Sequence, residues 1–386
     1  MNVVANGWTF HKDVWIAAGG TAGHLLPALG VAEVLVDMGM DRAQIGFIGS
    51  NRPLEADLIG PYGYELLNLD TAGLSRNFSI ANLVAGAKIV LAVLKLMAAA
   101  FRDRPKVVVG FGGYFSVPPL LVARLLSVPV VVVETNSIAG RANKLLARVA
   151  SRVFCAENIE GLGSPEIVGV PLRPEISSPK AWDTSEFRKD HQIPEDAQLV
   201  VVFGGSLGAE KINRSVISMV EKVYESGFDF DGEVYFYHVI GRRDFPTFEA
   251  SAKVLSEKSW KGRYIFQDFD HNIYKAISAS TLVVCRSGSG TIAELGYFKK
   301  PSVLIPLPNA PGDHQARNAA VLERAGAAKV IHDNELSSET LLSQLYLLLA
   351  DEELLARMSK AAGETFSGNG CNRIAEVLFQ LIERGG

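Results

Sequence analysis

Two stretches of this chain repeat one order of residues, and that repetition constrains the fold more than any other feature. Val14-Trp15-Ile16-Ala17-Ala18 is an apolar run that ends in Gly19-Gly20-Thr21-Ala22-Gly23-His24. A helical pattern follows from about Pro27 to Met38, with Leu29, Ala32 and Val36 on its apolar stripe. Leu199-Val200-Val201-Val202-Phe203 likewise runs into Gly204-Gly205-Ser206-Leu207-Gly208-Ala209 and a second helix. Strands that are apolar without alternation belong in parallel sheets covered on both faces. Ile45 to Gly49, Val107 to Gly110 and Val128 to Val133 are of the same kind. Helical patterns separate them, so each half reads as a doubly wound α/β domain. Ligands of such sheets bind outside the carboxyl ends of the strands. The expected architecture is therefore two Rossmann-like parallel-sheet domains facing across a cleft, with a Gly-Gly loop on each side.

At 386 residues the chain is too long for one ordinary core, which agrees with two domains. From Glu157 to Gln198 the texture changes: Pro165, Pro171, Pro174, Pro179 and Pro194 fall among polar residues, marking the junction. The expected division is a first domain over 1–165, a second over 166–368, and a C-terminal helix over 369–386 packing back on the first. A net charge of −4 argues against a general nucleic-acid binder. Cys155, Cys285 and Cys371 lie far apart with no C-x-x-C, so neither a disulfide framework nor a zinc site is indicated, as suits a reducing cytoplasm. Met1 to Lys12 lacks the basic region and apolar core of a signal peptide.

The richest chemistry lies between Leu282 and Asn318. Leu282-Val283-Val284-Cys285 reads as a buried strand, and Arg286-Ser287-Gly288-Ser289-Gly290-Thr291 as a loop whose amides can approach a ligand. Ile292-Ala293-Glu294-Leu295 opens a helix, placing the loop where an anion is favoured. The Glu294 carboxylate, about one turn inside, can accept two hydrogen bonds from a diol. Ser302 to Leu307 forms the next strand and leads into the polar loop Pro308 to Gln315. Together these suggest a nucleotide site. Gly288 to Ala293 also fits the dinucleotide fingerprint, but the next strand ends in Pro308 and Asn309 rather than in an acid. A plain strand–helix turn with a solvated Glu294 is the simplest alternative.

These motifs, taken in order, resemble the MurG family of bacterial glycosyltransferases, within glycosyltransferase family 28. The resemblance runs from about Trp15 to the C-terminus. It rests on Gly19 to His24, Gly112-Gly113-Tyr114-Phe115-Ser116-Val117-Pro118, and Glu134 to Gly140 with Asn143-Lys144. It continues through Gly169 to Arg173, Gly204 to Ala209, Cys285 to Gly288 with Glu294, and Asp313-His314-Gln315 with Asn318-Ala319. What it implies is the GT-B fold and an inverting transfer of N-acetylglucosamine from UDP-N-acetylglucosamine to undecaprenyl-pyrophosphoryl-N-acetylmuramoyl-pentapeptide. No metal or other cofactor is implied. The implied partners are the donor, the undecaprenyl-linked acceptor, the membrane surface and other cell-wall synthesis proteins. The implied location is peripheral, at the cytoplasmic face of the inner membrane.

The resemblance places the UDP-sugar on Asn136, Arg173, Ser206, Glu294 and Gln315, with Thr21, Ala22 and Gly23 closing over it; Ser289, Gly290 and Thr291 are expected to bind it from the small-residue loop at the helix start. Arg173, permanently charged, suits a pyrophosphate. His24 is the expected general base, since an imidazole can take a hydroxyl proton near neutral pH; the alternative is that it caps its helix or binds pyrophosphate. Tyr114 is expected to shape the acceptor side, and His314 either joins Gln315 or is a solvated loop residue. The sequence departs from the family pattern at Ala22, Val133, Thr135 and Leu207. A diacylglycerol acceptor therefore stays open, as does a non-catalytic nucleotide-sugar-binding subunit. Asp229-Phe230-Asp231 and Asp268-Phe269-Asp270 spell the metal-holding D-x-D of the other large glycosyltransferase fold, but neither follows an apolar strand. Ile80 to Arg104 is strongly apolar, yet Lys88 and Lys95 argue against a transmembrane helix. A helix lying in the membrane interface and a buried domain helix are the two readings.

Overall fold

The computed structural model describes residues 10–50, 52–70, 80–177, 184–205, 207–228, 230, 232–258 and 262–384, with backbone alone for 80–84, 177, 184 and 311. The chain divides into two compact units, residues 1–178 with 367–386, and residues 179–366.

The first unit alternates strands and helices: β1 (Val14–Ala17), α1 (Ala22–Asp37), β2 (Ile45–Gly49), α2 (Pro53–Ile59), β3 (Glu65–Asn68) and α3 (Ile80–Arg102). Then come β4 (Val107–Gly110), α4 (Val117–Leu125), β5 (Val130–Glu134), α5 (Arg141–Leu146), β6 (Arg152–Cys155), β7 (Glu166–Ile167) and α6 (Pro174–Ser177). All seven strands are parallel, in the order β3-β2-β1-β4-β5-β6-β7. Alternate residues of β1 serve two cores. Val14 and Ile16 pack with Leu25, Leu29 and Ile374, whereas Trp15 and Ala17 pack with Leu96, Leu120 and Val122. Burial on both faces explains why the strands show no polar alternation.

The second unit holds α7 (Thr184–Asp190), β8 (Gln198–Phe203), α8 (Glu210–Ser226), β9 (Val234–Val239), α9 (Phe245–Ser256), β10 (Gly262–Gln267) and α10 (Ile273–Ala279). It continues with β11 (Leu282–Cys285), α11 (Ser289–Tyr297), β12 (Ser302–Leu304), α12 (His314–Arg324), β13 (Ala328–Val330), α13 (Ser338–Leu349) and α14 (Glu352–Thr365). Its six parallel strands follow the order β10-β9-β8-β11-β12-β13. The last helix, α15 (Cys371–Arg384), belongs to the first unit. Its Ile374, Ala375 and Leu378 face α1, and Gly30 of α1 makes the approach possible. A Cβ on Gly30 would lie 2.0 Å from the Leu172 carbonyl and 2.8 Å from Cys371 Sγ.

Three element boundaries differ from the sequence expectation. The first unit runs past 165 to residue 178, because β7 pairs with β6 and α6 packs on α1. Helix α1 starts at Ala22, not near Pro27, so Ala22, Gly23 and His24 form its first turn and Pro27 lies inside it. Proline is best placed at a helix start; here its missing N–H costs the bond to the Gly23 carbonyl. Helix α11 starts at Ser289 rather than Ile292, so the loop of small residues supplies the first turn and Glu294 falls in the second.

Candidate active site

Both sheets reverse their order next to their first strand, so β1 neighbours β4 and β8 neighbours β11. At such a switch point the loops leaving two adjacent strands run apart and leave a crevice. In the first unit those loops are Gly19 to Thr21 and Gly112 to Gly113. Gly20, Gly112 and Gly113 all have positive φ, of 79°, 97° and 82°, which side chains other than glycine rarely adopt.

His24 sits half-buried at the start of α1, where the two loops meet. Its Nδ1 lies 3.1 Å from the Gly19 carbonyl. A carbonyl can only accept, so this shorter contact favours the tautomer with the proton on Nδ1 and Nε2 as the basic nitrogen; Thr21 Oγ1, at 3.4 Å from Nδ1, can then accept as well. Nε2 faces the second loop, since a Cβ on Gly112 would lie 3.4 Å from it and 3.4 Å from Asn143 Nδ2. The Phe115 ring meets the imidazole edge-on at 6.0 Å, and Tyr114 meets Phe115 at 5.9 Å. His24 and Asn143 are thus brought to one place, with the Phe115 ring in contact with both His24 and Tyr114.

Asn136 follows β5 and is held by the buried Glu134. Its N–H and its Nδ2 both donate to Glu134 Oε1, at 3.1 and 3.0 Å. The other carboxylate oxygen accepts from Gly140 N and Asn143 Nδ2. Asn143 Oδ1 is buried without a partner. Val133 and Thr135, two of the family departures, are buried, and Val133 packs in the core. Arg173 lies just before α6, in this same unit.

In the second unit, the loop after β8 is built on Gly205 and Gly208, with φ of 100° and 95°. Ser206 lies outside the described residues, as do Asp229 and Asp231; Leu207 is exposed. Gly208 is pressed against the turn before α9: a Cβ there would lie 2.4 Å from the Ile240 carbonyl and 2.6 Å from Asp244 Oδ2. That turn is held by a buried chain of bonds. Asn213 Nδ2 donates to the Ile240 carbonyl at 2.9 Å and to Asp244 Oδ2 at 3.1 Å, and Asn213 Oδ1 accepts from His238 Nε2 at 3.0 Å. Tyr264 O–H then donates to His238 Nδ1 at 2.7 Å. Burial pushes the His238 pKa down to about 3, so the ring is neutral.

The N-termini of α11 and α12 are pinned to each other. Ser287 Oγ donates to the Gln315 carbonyl at 2.8 Å, and Asn318 Nδ2 donates to the Ser287 carbonyl at 3.0 Å. Gln315 lies in the first turn of α12, and its Oε1 accepts from Leu307 N–H at 2.9 Å. Ser289, Gly290 and Thr291 form the first turn of α11, where amides point out of the helix end. Glu294 is buried, at 6% exposure, which removes the solvated-surface alternative. His314 is half-buried beside Gln315. Arg286 reaches across to Asp333 Oδ1 at 2.8 Å and to the Ile305 and Pro306 carbonyls. Asp270 is engaged structurally, accepting from Tyr237 O–H at 3.0 Å and Asn272 N–H at 2.7 Å. The expected donor set is therefore divided. Thr21, Ala22, Gly23, Asn136 and Arg173 lie in the first unit; Ser289, Gly290, Thr291, Glu294 and Gln315 lie in the second.

The N-terminal domain model of glycosyltransferase family 28 matches residues 14–155, and the C-terminal domain model of that family matches residues 199–376. The chain belongs to glycosyltransferase family 28. A Shewanella loihica protein named UDP-N-acetylglucosamine–N-acetylmuramyl-(pentapeptide) pyrophosphoryl-undecaprenol N-acetylglucosamine transferase is 33% identical, covering 97% of this chain and 98% of its own. A Shewanella oneidensis protein of the same name is also 33% identical, covering 97% and 99%. Among solved structures, Acinetobacter baumannii MurG superposes with a TM-score of 0.74 at 27% identity, over 96% of this chain and 99% of that one. The glycosyltransferase of kitacinnamycin superposes with a TM-score of 0.66 at 15% identity, over 95% and 98%, which speaks for the fold alone. This family 28 chain thus has two parallel-sheet α/β domains of the GT-B type, and it is a glycosyltransferase.

Sequence reasoning passed over several residues that build this family 28 site. Glu55 on α2 is fully buried and takes the Gly20 N–H, and His238, Asn213 and Asp244 support the second glycine loop. Only Glu55 carried a visible signal, an acid inside the short apolar helix pattern after β2.

Proposed function

We propose that this family 28 enzyme transfers N-acetylglucosamine from UDP-N-acetylglucosamine to undecaprenyl-pyrophosphoryl-N-acetylmuramyl-pentapeptide, converting lipid I to lipid II. The observation that carries the reading is full-length relation, at 33% identity over 97% of the chain, to proteins bearing that activity in their name. In the reaction the acceptor oxygen bonds to the anomeric carbon from the face opposite UDP. The bond from that carbon to the β-phosphate oxygen breaks, its electron pair leaves with UDP, and the configuration inverts. His24 Nε2 takes the acceptor's proton; the Gly19 carbonyl holds the tautomer this requires. In the first unit Thr21, the N-cap of α1, with Ala22 and Gly23 of its first turn and Arg173, suits a pyrophosphate; in the second unit the first turn of α11 offers amides to an anion, and these groups would offset the growing charge. Ser206 is read as a further pyrophosphate contact. Glu294 takes the ribose hydroxyls, Gln315 and Asn136 the sugar, and Tyr114 shapes the acceptor side.

A lipid acceptor calls for a membrane-facing surface, and α3 supports one. Ala85, Ala92, Leu96, Ala99 and Ala100 form its buried stripe, so it is a domain helix on that side. Val90, Leu91, Leu94 and Phe101 form a second apolar face that is exposed, Phe101 to 74%. Leu121 and Leu125 of the adjoining α4 are exposed too, with Arg102 and Arg124 beside them. Lys88 and Lys95 bend toward the end of β3, to Asp70 and the Asn68 carbonyl. Among the described residues no helix is long and apolar enough to cross a membrane. The reading is peripheral attachment at the cytoplasmic face of the inner membrane.

The test is purified protein with labelled UDP-N-acetylglucosamine and either the muramyl-pentapeptide lipid or diacylglycerol. Label should pass to the muramyl lipid alone; transfer to diacylglycerol, or none to either, overturns the proposal. His24→Ala should lower kcat by roughly 10²–10⁴-fold while leaving donor affinity nearly unchanged. Lost donor binding with intact turnover of bound donor would make His24 a binding residue instead.

A further inference from the structure

The peptide unit between Gly19 and Gly20 is hydrogen-bonded at both ends. Its carbonyl accepts from His24 Nδ1 at 3.1 Å. Its N–H, contributed by Gly20, donates to Glu55 Oε1 at 2.7 Å. Glu55 is a carboxylate at 0% exposure, buried where β1 and β2 end. Ser50 supplies two further bonds: its N–H donates to Oε2 at 2.7 Å and its hydroxyl to Oε1 at 2.5 Å. The fit leaves no latitude: a Cβ on Gly19 would lie 2.6 Å from Oε1, and one on Gly49 would lie 2.3 Å from Oε2. Both glycines are needed for the carboxylate to reach the loop.

We infer that Glu55 is a positioning residue for transfer, acting on the base His24 through the Gly19–Gly20 peptide. The inference rests on the reading of His24 as the base. A carboxylate accepting from an amide N–H pushes electron density toward that amide's oxygen, and bonds in such a chain strengthen each other. The Gly19 carbonyl becomes a stronger acceptor for Nδ1–H. That fixes the tautomer, orients the ring and favours the imidazolium that forms when Nε2 takes the proton. A buried carboxylate aimed directly at an imidazole would serve the same end; here one peptide bond stands between them. The other charged and titratable groups packed around α1 stand in different relations. Arg52, just before α2, donates to the Gly20 carbonyl at 3.0 Å, one peptide further on. Glu134, at the end of β5, bonds Asn143 rather than His24. Asp57 is on α2, Tyr114 follows the second glycine loop, Arg173 precedes α6 and Glu175 lies within it, and Cys371 of α15 meets α1 at Gly30. Glu33 and Asp37 lie further along α1 itself.

The experiment is nitrogen-15 NMR on the full chain labelled at histidine and glycine, with His24 assigned by its loss in His24→Gln. In the unaltered protein His24 should be the Nδ1–H tautomer, and the Gly20 amide should lie downfield and titrate with the His24 pKa. In Glu55→Gln the His24 pKa should fall by roughly half a unit or more. The acid limb of kcat/KM should move to lower pH by the same amount. A Gly20 amide indifferent to His24 protonation, or an Nε2–H tautomer, overturns the inference. So does a Glu55→Gln enzyme that loses rate with no shift of the limb, which is what a merely structural glutamate would give. Should Glu55→Gln fail to fold, the measurements on the unaltered chain decide alone. If the NMR shifts appear but turnover has no acid limb tracking His24, the reading of His24 as base fails while the hydrogen-bonded chain stands.

Discussion

The buried His238 makes stability in the second unit depend on pH in a calculable way. Its Nε2–H donates to Asn213 Oδ1 and its Nδ1 accepts from Tyr264 O–H. Asn213 cannot turn over to accommodate a second proton, because its Nδ2 serves the Ile240 carbonyl and Asp244. A charged imidazolium here would have no water contact and would require the Tyr264 O–H to turn from donor to acceptor, and burial lowers the pKa to about 3. In the unfolded chain the same histidine titrates near 6.5. Between those values the unfolded state binds a proton that the folded state refuses, so stability falls as the pH falls. The loss begins near pH 6.5 and is complete by about pH 3. Between pH 7 and pH 5 it amounts to about 2 kcal/mol. The assay is urea unfolding at pH 7, 6 and 5, with β9 and β10 followed by hydrogen exchange and mass spectrometry. His238→Gln, which cannot titrate, is the reference. Carboxylate effects are common to both proteins, so the unaltered chain should lose about 2 kcal/mol more than the variant. Equal slopes would mean that His238 is charged or wetted in the fold, and the reasoning from its partners would fail.

Other outcomes follow from the donor and acceptor sides. Glu294→Ala should weaken UDP binding by roughly tenfold or more, since hydrogen bonds to a charged group are worth about 1.5–3 kcal/mol each. In calorimetric titrations it should also lose most of the preference for UDP over 2′-deoxy-UDP that the unaltered chain shows; equal preference in both would move the ribose elsewhere. Replacing Leu91 and Leu94 of α3 by Asp should cut sedimentation with anionic phospholipid vesicles severalfold while leaving UDP affinity alone; undiminished sedimentation would place the membrane contact on another face. If Arg173 and helix N-termini stabilise the departing UDP, turnover should survive EDTA; loss restored by magnesium or manganese would count against that reading.

The sequence by itself determined the parts that depend on periodicity and on neighbours along the chain. Continuous apolar runs such as Val130 to Val133 can be buried on both faces only in a covered parallel sheet. Glycines at strand ends marked Gly20, Gly112, Gly205 and Gly208, all of which have positive φ. His24 and Tyr114 could be singled out because they stand in or beside two of those loops, and Glu294 and Gln315 because they follow the loops after β11 and β12. Local rules failed where one signal had two uses: Pro27 suggested a helix start and lies within α1, and Ile292 looked like the first helical residue of α11. The apolar stretch of α3 held one face for the core and another for the outside, which composition averages together.

What only the tertiary structure decided are contacts between residues far apart in the chain. Glu55 meets the Gly19–Gly20 peptide because β2 lies beside β1, and their C-terminal loops are therefore adjacent. His238 reaches Asn213 and Tyr264 because β9 lies between β8 and β10, with α8 following β8. Helix α15 joins the first unit because Gly30 lets Leu172 and Cys371 close on α1. Each of these depends on strand order and on the space left by a missing side chain. Neither quantity is written in local periodicity, since the same hydrophobic pattern fits several orders of strands, whereas the partners of buried polar groups such as Glu55 and His238 depend on which strands are neighbours.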